Sequence, residues 1–270
     1  MFLSTLLVDV GTNSDRPRPG RTWLGNIYRV HQRLCMAFPD RKEPETENDA
    51  APSSMAVHTE RTNQSGFLFR IDHGINERDD RSDLHARRPV ILVQSYLEPK
   101  WNDAFKLFEE GDSVKTDHET GKPVGNAGHL LAAPPQVKKI DWLELKIDCE
   151  YRFRVTVNPT RRVNNGPFKG KRVGVGQSPA AILDWLARKG ADGGFELIYE
   201  KDEDGVDKRW RISNGVVRGV ARNDRKFFFA SAAIDGVLKI MDLATMNETL
   251  AAGIGSGKAF GFGLLSVARV

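Results

Sequence analysis

Cysteine is nearly absent from this sequence. The two present, Cys35 and Cys149, are too few for a disulfide framework and lack metal-ligand spacing, which suits a reducing cytoplasm. Long apolar runs are also missing. The apolar stretch at 1–8 falls far short of the roughly 20 residues that cross a bilayer. It has no basic flank or small-residue cleavage site, so no signal peptide is expected and a first β-strand is. No membrane partner is expected. Metal chemistry finds little support. Five of the six histidines (His58, His73, His85, His118 and His129) fall in loop-like sequence without a pattern, and no H-x-x-x-H pair is present. No cofactor is expected.

One further absence is local. Residues 151–183 contain no Asp or Glu but carry Arg152, Arg154, Arg161, Arg162, Lys169, Lys171 and Arg172. A second stretch, 208–226, sets seven basic residues against the single acid Asp224. The net charge of +4 and pI of about 9.0 say little by themselves. Two separate basic runs in one half point to an acidic polymer, and a phosphate backbone fits best. Arg161 and Arg162 are expected to contact that polymer's backbone or groove. In an A-form RNA stem the deep major groove would offer them mostly phosphate and shape.

What is abundant is glycine near the C-terminus. The final segment reads GIGSGKAFGFGLLSVARV, with glycines at 253, 255, 257, 261 and 263 around Lys258. A phosphate-binding P-loop would need Gly and Ser or Thr where Ala252 and Ala259 stand. A dinucleotide fingerprint fails because Lys258 and Phe260 replace its third glycine, and too few residues follow for a helix. The segment reads as a glycine-rich loop feeding a last strand. Gly255, Gly257 and Lys258 are its candidate contacts to a phosphate chain, because glycine admits a close backbone and lysine a phosphate.

Periodicity predicts strands at 2–10, 66–72, 89–95 and 137–147, with helices at 27–38 and 101–110. Asn26 is the expected N-cap of the first helix and Pro39 lies just past its end. Residues 11–21, 40–60 and 72–88 read as loops. The second half repeats the plan. Strands are expected at 151–158, 195–200, 227–238 and 262–268. Helices are expected at 179–188, capped by Ser178, and at 242–252. The order is α+β: two tandem ferredoxin-like (RRM-like) βαββαβ domains, 1–148 and 149–270. Core packing is expected for the aromatics at 227–229, with base stacking the alternative.

On the 27–38 helix, Ile27, Val30, Leu34 and Phe38 form one apolar stripe. His31 falls on its edge, with Tyr28 about 60° further round. A histidine at such an edge is more often a hydrogen-bonded boundary residue than a proton carrier.

Several segments together resemble one family. They are Met1-Phe2-Leu3-Ser4, Tyr28 through Leu34 (YRVHQRL), Gly66 through Arg70 (GFLFR) and Val90 through Ser95 (VILVQS). Phe153 through Thr160 (FRVTVNPT), Gly170 through Val173 (GKRV) and the glycine loop complete the set. In this order they resemble the CRISPR-associated repeat-processing endoribonucleases, in particular the CasE subunit of type I-E Cascade. The resemblance implies a tandem ferredoxin-like fold and a metal-independent cut at the 3′ base of a CRISPR repeat hairpin. The substrate's own 2′-OH would attack, leaving a 2′,3′-cyclic phosphate and a 5′-OH. It also implies that the mature crRNA is retained and that the other Cascade subunits are partners. Tyr28 and His31 match the family's catalytic pair. Lys171 best matches its lysine, with Lys169 as the rival. Arg172 and Lys169 join the RNA-binding set. An imidazole with an ordinary pKa of about 6.5 suits both proton transfers. The competing reading is a non-catalytic RNA-binding module of tandem ferredoxin-like domains. It lacks the aromatic strand motif such modules use.

Overall fold

The first strand, β1 (Phe2–Leu7), turns Ser4 and Leu6 inward and leaves their neighbours half-buried. This is the alternation of a strand with one face on a core. The computed structural model describes residues 1–11, 19–38, 66–72, 88–105, 115–116, 123–124, 130–140, 144–167, 169–199, 209–221 and 225–270. The expected loop at 40–60, nearly all of that at 72–88, and the five loop histidines lie outside this set. Two compact units divide the chain: Met1–Ile140 with Arg218–Phe227, and Asp141–Val217 with Phe228–Val270.

In the first unit β1 is followed by α1 (Pro19–Leu24), α2 (Ile27–Cys35), β2 (Phe67–Asp72), β3 (Val90–Ser95) and α3 (Trp101–Ala104). The two-residue strands β4 (Lys115–Thr116) and β5 (Pro123–Val124) pair with each other, and β6 (Gln136–Lys139) ends the series. The four long strands form an antiparallel sheet in the order β2-β3-β1-β6. The buried Ser4 hydroxyl accepts from the Trp101 indole at 3.1 Å, so a polar group at the sheet centre is satisfied. Arg70, also buried, makes a two-pronged ion pair with Asp72 at 2.7 and 2.9 Å.

The second unit runs β7 (Glu150–Val157), β8 (Thr160–Arg162), β9 (Arg172–Gly174), α4 (Pro179–Asp192) and β10 (Phe195–Ile198). It continues with β11 (Arg211–Val220), β12 (Lys226–Ile240), α5 (Leu243–Ala252) and β13 (Ser266–Arg269). The outer ends of β11 and β12 group with the first unit. The sheet order is β10-β12-β7-β13, with β11 added on β12, and its registered pairings are antiparallel. The chain is therefore an α+β protein with antiparallel sheets, consistent with tandem ferredoxin-type domains. Along β7, Tyr151, Phe153, Val155 and Val157 are buried while Arg152 and Arg154 point outward, as the alternating sequence predicts. Arg154 is held by Asp235 of β12 at 2.5 Å. Ser178 caps α4 by accepting from the Ala181 N–H, and Pro179 opens it.

Several boundaries differ from expectation. The predicted loop at 11–21 gives way to α1, which starts at Pro19. Gly20 makes that helix possible, because a Cβ there would strike the Asp9 carbonyl. The second predicted helix is only four residues long in the described part. Phe105 is already extended (φ −131°, ψ 140°), and its ring still packs on Trp101 at 5.9 Å. Burial of the two aromatics, not helical continuity, explains their spacing. β6 stops at Lys139, well short of 147, and Ile147 is exposed. The last strand begins at Ser266; Phe262, Leu264 and Leu265 are buried as a loop whose path is set by Gly263. β8, β9 and β11 were not anticipated. Their sequences are polar, and pairing defines them, not an apolar face.

Candidate active site and nucleic-acid interface

α2 is held by its apolar stripe: Ile27, Val30 and Leu34 are buried on it, and Phe38 just beyond. Asn26 caps it, its side-chain oxygen accepting from the Tyr28 N–H at 3.2 Å. His31 sits at the stripe's edge, half-buried, as the helical projection requires. Its ring stacks on two β2 aromatics, Phe67 at 5.7 Å and Phe69 at 6.3 Å. Its Nε2 lies 3.5 Å from the Cys35 thiol one turn on. The imidazole is thus clamped between a buried aromatic wall and a polarisable thiol, which narrows its rotamer choice. Tyr28 is half-buried on the same helix, three residues before it. The cleft of about 820 Å³ beside α2, lined by Trp23, Arg29, Gln32, Arg33 and Met36, does not include His31. His31 therefore lies outside that cleft.

Five basic residues of the second unit, all between 161 and 172, gather on one hairpin. Arg161 and Arg162 lie on β8, opposite Val173 and Arg172 of β9. Lys171 immediately precedes β9, its carbonyl accepting from Val163 N–H at 2.9 Å. Lys169 is in the turn, where its N–H donates to Gly166. The turn closes through Gly166 and Gly170, both at positive φ with open space around them. All five cationic side chains are exposed. Little apolar burial holds this hairpin; paired backbone does.

The glycine loop is tied to the base of that hairpin. Ser256 bridges Asn158, and its hydroxyl meets the Thr160 hydroxyl at 3.0 Å. The Trp185 indole donates to the Thr160 carbonyl at 2.9 Å. The structure thereby brings Gly255, Gly257 and Lys258 together with the strand that carries Arg161 and Arg162. Gly255 and Gly257 have φ of +77° and +78°, and a Cβ on them would press on Trp185 and Phe262 at 3.0 and 2.9 Å. Internal packing alone accounts for both glycines. Lys258 is half-buried, and loss of hydration pushes its ammonium below the ordinary lysine pKa. A phosphate beside it would favour the charged form.

Among the described residues no three of His, Cys, Asp or Glu lie close enough to share a metal, and no helix is long and apolar enough to cross a membrane. Sequence reasoning missed the environment of His31. Cys35 was legible as its i+4 neighbour; the Phe67 and Phe69 wall was not, because it depends on where β2 packs. Of the aromatics at 227–229, Phe229 packs on Phe260 and Phe262, as expected. Phe228 is 77% exposed, contrary to the core placement expected of the trio. The strand's alternation sends it to the opposite face.

Comparison with known proteins follows the same lines. A family model described as CRISPR associated protein matches residues 1–269. The CRISPR-associated endoribonuclease Cse3 of Thermus thermophilus is 31% identical over 187 residues, covering 67% of this chain and 73% of the relative. A solved structure of CRISPR endoribonuclease Cse3 bound to a 19-nucleotide RNA superposes over 100% of both chains, with TM-score 0.64 and 25% identity. The CRISPR-associated protein Cas6e of Escherichia coli K-12 shares the fold over 100% of both chains, at TM-score 0.53 and 19% identity. With a family match along nearly its whole length and a fold to go with it, the chain belongs to the CRISPR-associated proteins and, among them, to the Cse3 (CasE) group of type I-E Cascade.

Proposed function

We propose that this chain is a metal-independent endoribonuclease. It binds a CRISPR repeat hairpin, cuts once at the hairpin's 3′ base, and keeps the mature crRNA as a cytoplasmic Cascade subunit. The observation that carries this reading is His31: an imidazole fixed at the edge of a buried helical stripe, with Tyr28 on the same helix. The endoribonuclease activity of the Thermus relative and the RNA in the solved Cse3 structure support it.

The chemistry asks little of the protein beyond placement. The RNA supplies its own nucleophile, the 2′-OH next to the scissile phosphorus. His31 takes the 2′-OH proton or gives one to the 5′-oxygen, and Tyr28 positions the 2′-OH or helps deprotonate it. A cation stabilises the phosphorane's charge as it develops, and Lys171 is assigned that role, with Lys169 as the alternative. The 5′-oxygen leaves with a proton, so the products are a 2′,3′-cyclic phosphate and a 5′-OH. Arg161, Arg162, Lys169 and Arg172 hold stem phosphates, while Gly255, Gly257 and Lys258 present backbone and charge to the same strand. Tandem ferredoxin-like domains, 1–148 and 149–270, complete the proposal.

The test is cleavage of a repeat-hairpin RNA in excess EDTA, with the product ends identified. Cutting is expected to persist and to leave a cyclic phosphate. Loss of cutting restored by Mg²⁺, or a 3′-OH product, would overturn the mechanism. Tight binding without any cutting would favour the non-catalytic module.

A further inference from the structure

The second basic run of the sequence has no role in the mechanism above, yet its outer part, Arg218–Phe227, is built into the unit that carries Tyr28 and His31. One side chain makes a two-point connection. The Asn26 amide donates through Nδ2 to the Val220 carbonyl at 3.2 Å, and its Oδ1 accepts from the Val220 N–H at 3.0 Å. The same Oδ1 accepts from the Tyr28 N–H. The amide thus mimics a peptide group, pairing with a strand 194 residues away while capping α2. Its orientation is fixed, because only an oxygen can accept from Val220 N–H while the nitrogen donates.

The tip is shaped for this position. Ala221 N–H donates to the Arg225 carbonyl at 3.0 Å and closes the turn. Gly219 is buried where a Cβ would strike the Phe227 ring. Arg218 and Lys226, by contrast, are exposed. A floppy tip would need neither the buried glycine nor the amide pair. A segment that carries exposed cations, docked at the first turn of the helix bearing Tyr28, fits a phosphate chain passing that helix.

We propose that Asn26 is a positioning residue that straps the Arg218–Phe227 tip to the first turn of α2, and that Arg218 and Lys226 on the strapped tip contact the RNA backbone. The inference rests on the RNA-cleaving function proposed above.

Asn26→Asp is the discriminating change. Aspartate caps a helix as well as asparagine does, so α2 is preserved. Its second oxygen faces the Val220 carbonyl where a donor stood, so the strap is broken. Three readouts are taken on the full chain. The first is hydrogen exchange: Asn26→Asp should speed exchange in 218–227 and leave α2 unchanged. The second is binding of a repeat-hairpin RNA carrying a 2′-deoxy nucleotide at the cut, measured against salt. The Arg218→Ala/Lys226→Ala pair should flatten log K against log salt by about one to two contacts' worth of slope. Asn26→Asp should do much the same, and the triple variant should be no worse than either. The third is the split between kcat and KM on cleavable RNA, where the arginine–lysine pair should raise KM more than it lowers kcat.

Unchanged salt slopes in the double variant, or losses that simply add in the triple variant, would overturn the proposal. Unchanged exchange in 218–227 would overturn the strap itself. A wild-type chain that neither binds nor cuts the RNA would instead overturn the function reading, and the exchange experiment would still report on the strap.

Discussion

The helix that bears His31 and the hairpin that bears Arg161 are held by opposite means. α2 buries Ile27, Val30 and Leu34, and its histidine is wedged against Phe67 and Phe69. The β8–β9 hairpin buries almost nothing; its backbone pairs, two glycines turn it, and its cations stand in solvent. The difference suits the two kinds of work proposed for them. A proton must be delivered to one atom, so its carrier needs a rotamer fixed by packing. A phosphate chain is attracted over several ångströms, so its partners need charge and reach more than rigidity.

The largest effect expected from this contrast is at His31. His31→Ala should slow cutting by about 10²- to 10⁴-fold while leaving RNA affinity nearly intact. Single-turnover cleavage alongside a binding titration checks it. Normal cutting would move the catalyst elsewhere, and loss of folding would make His31 a packing residue after all.

The glycine loop sits between the two cases, tied to the hairpin yet packed on Trp185 and Phe262. Gly257→Ala puts a Cβ at φ +78° and against the Phe262 ring. The left-handed backbone alone costs roughly 1–2 kcal/mol, so a lower Tm is expected in thermal unfolding. If Tm holds and only RNA binding falls, the loop is a ligand surface first and a packing device second.

The smallest effect on stability is expected at the hairpin. Arg161→Ala with Arg162→Ala should leave unfolding within about 0.5 kcal/mol of wild type, since exposed side chains away from packing matter little. It should flatten the salt dependence of RNA binding by up to about two contacts' worth of slope. An unchanged slope would mean that these arginines face something other than RNA.

Much of this was legible from residue order. The stripe on α2, the Asn26 and Ser178 caps and the alternation of β7 follow from local spacing and turn chemistry, and the structure repeats them. Where polar sequence forms structure, the reading failed. β8, β9 and β11 carry no apolar period, so only their partners reveal them. α1 was hidden because Gly20, a poor helix former, is there for the close approach of the Asp9 carbonyl. Phe105 looked helical because it is buried beside Trp101, and burial does not require a helix.

Sequence alone determined that the chain is α+β, that its cations concentrate in the second half without acids, and that His31 and Tyr28 share a helical edge. Those are properties of neighbours along the chain, where the spacing of 3.6 or 2 residues is enough. Tertiary structure decided what touches His31, why Gly255 and Gly257 cannot be larger, and that Asn26 reaches Val220. Each of these joins segments far apart in sequence, and such pairings are set by the packing of whole elements, which no local period records.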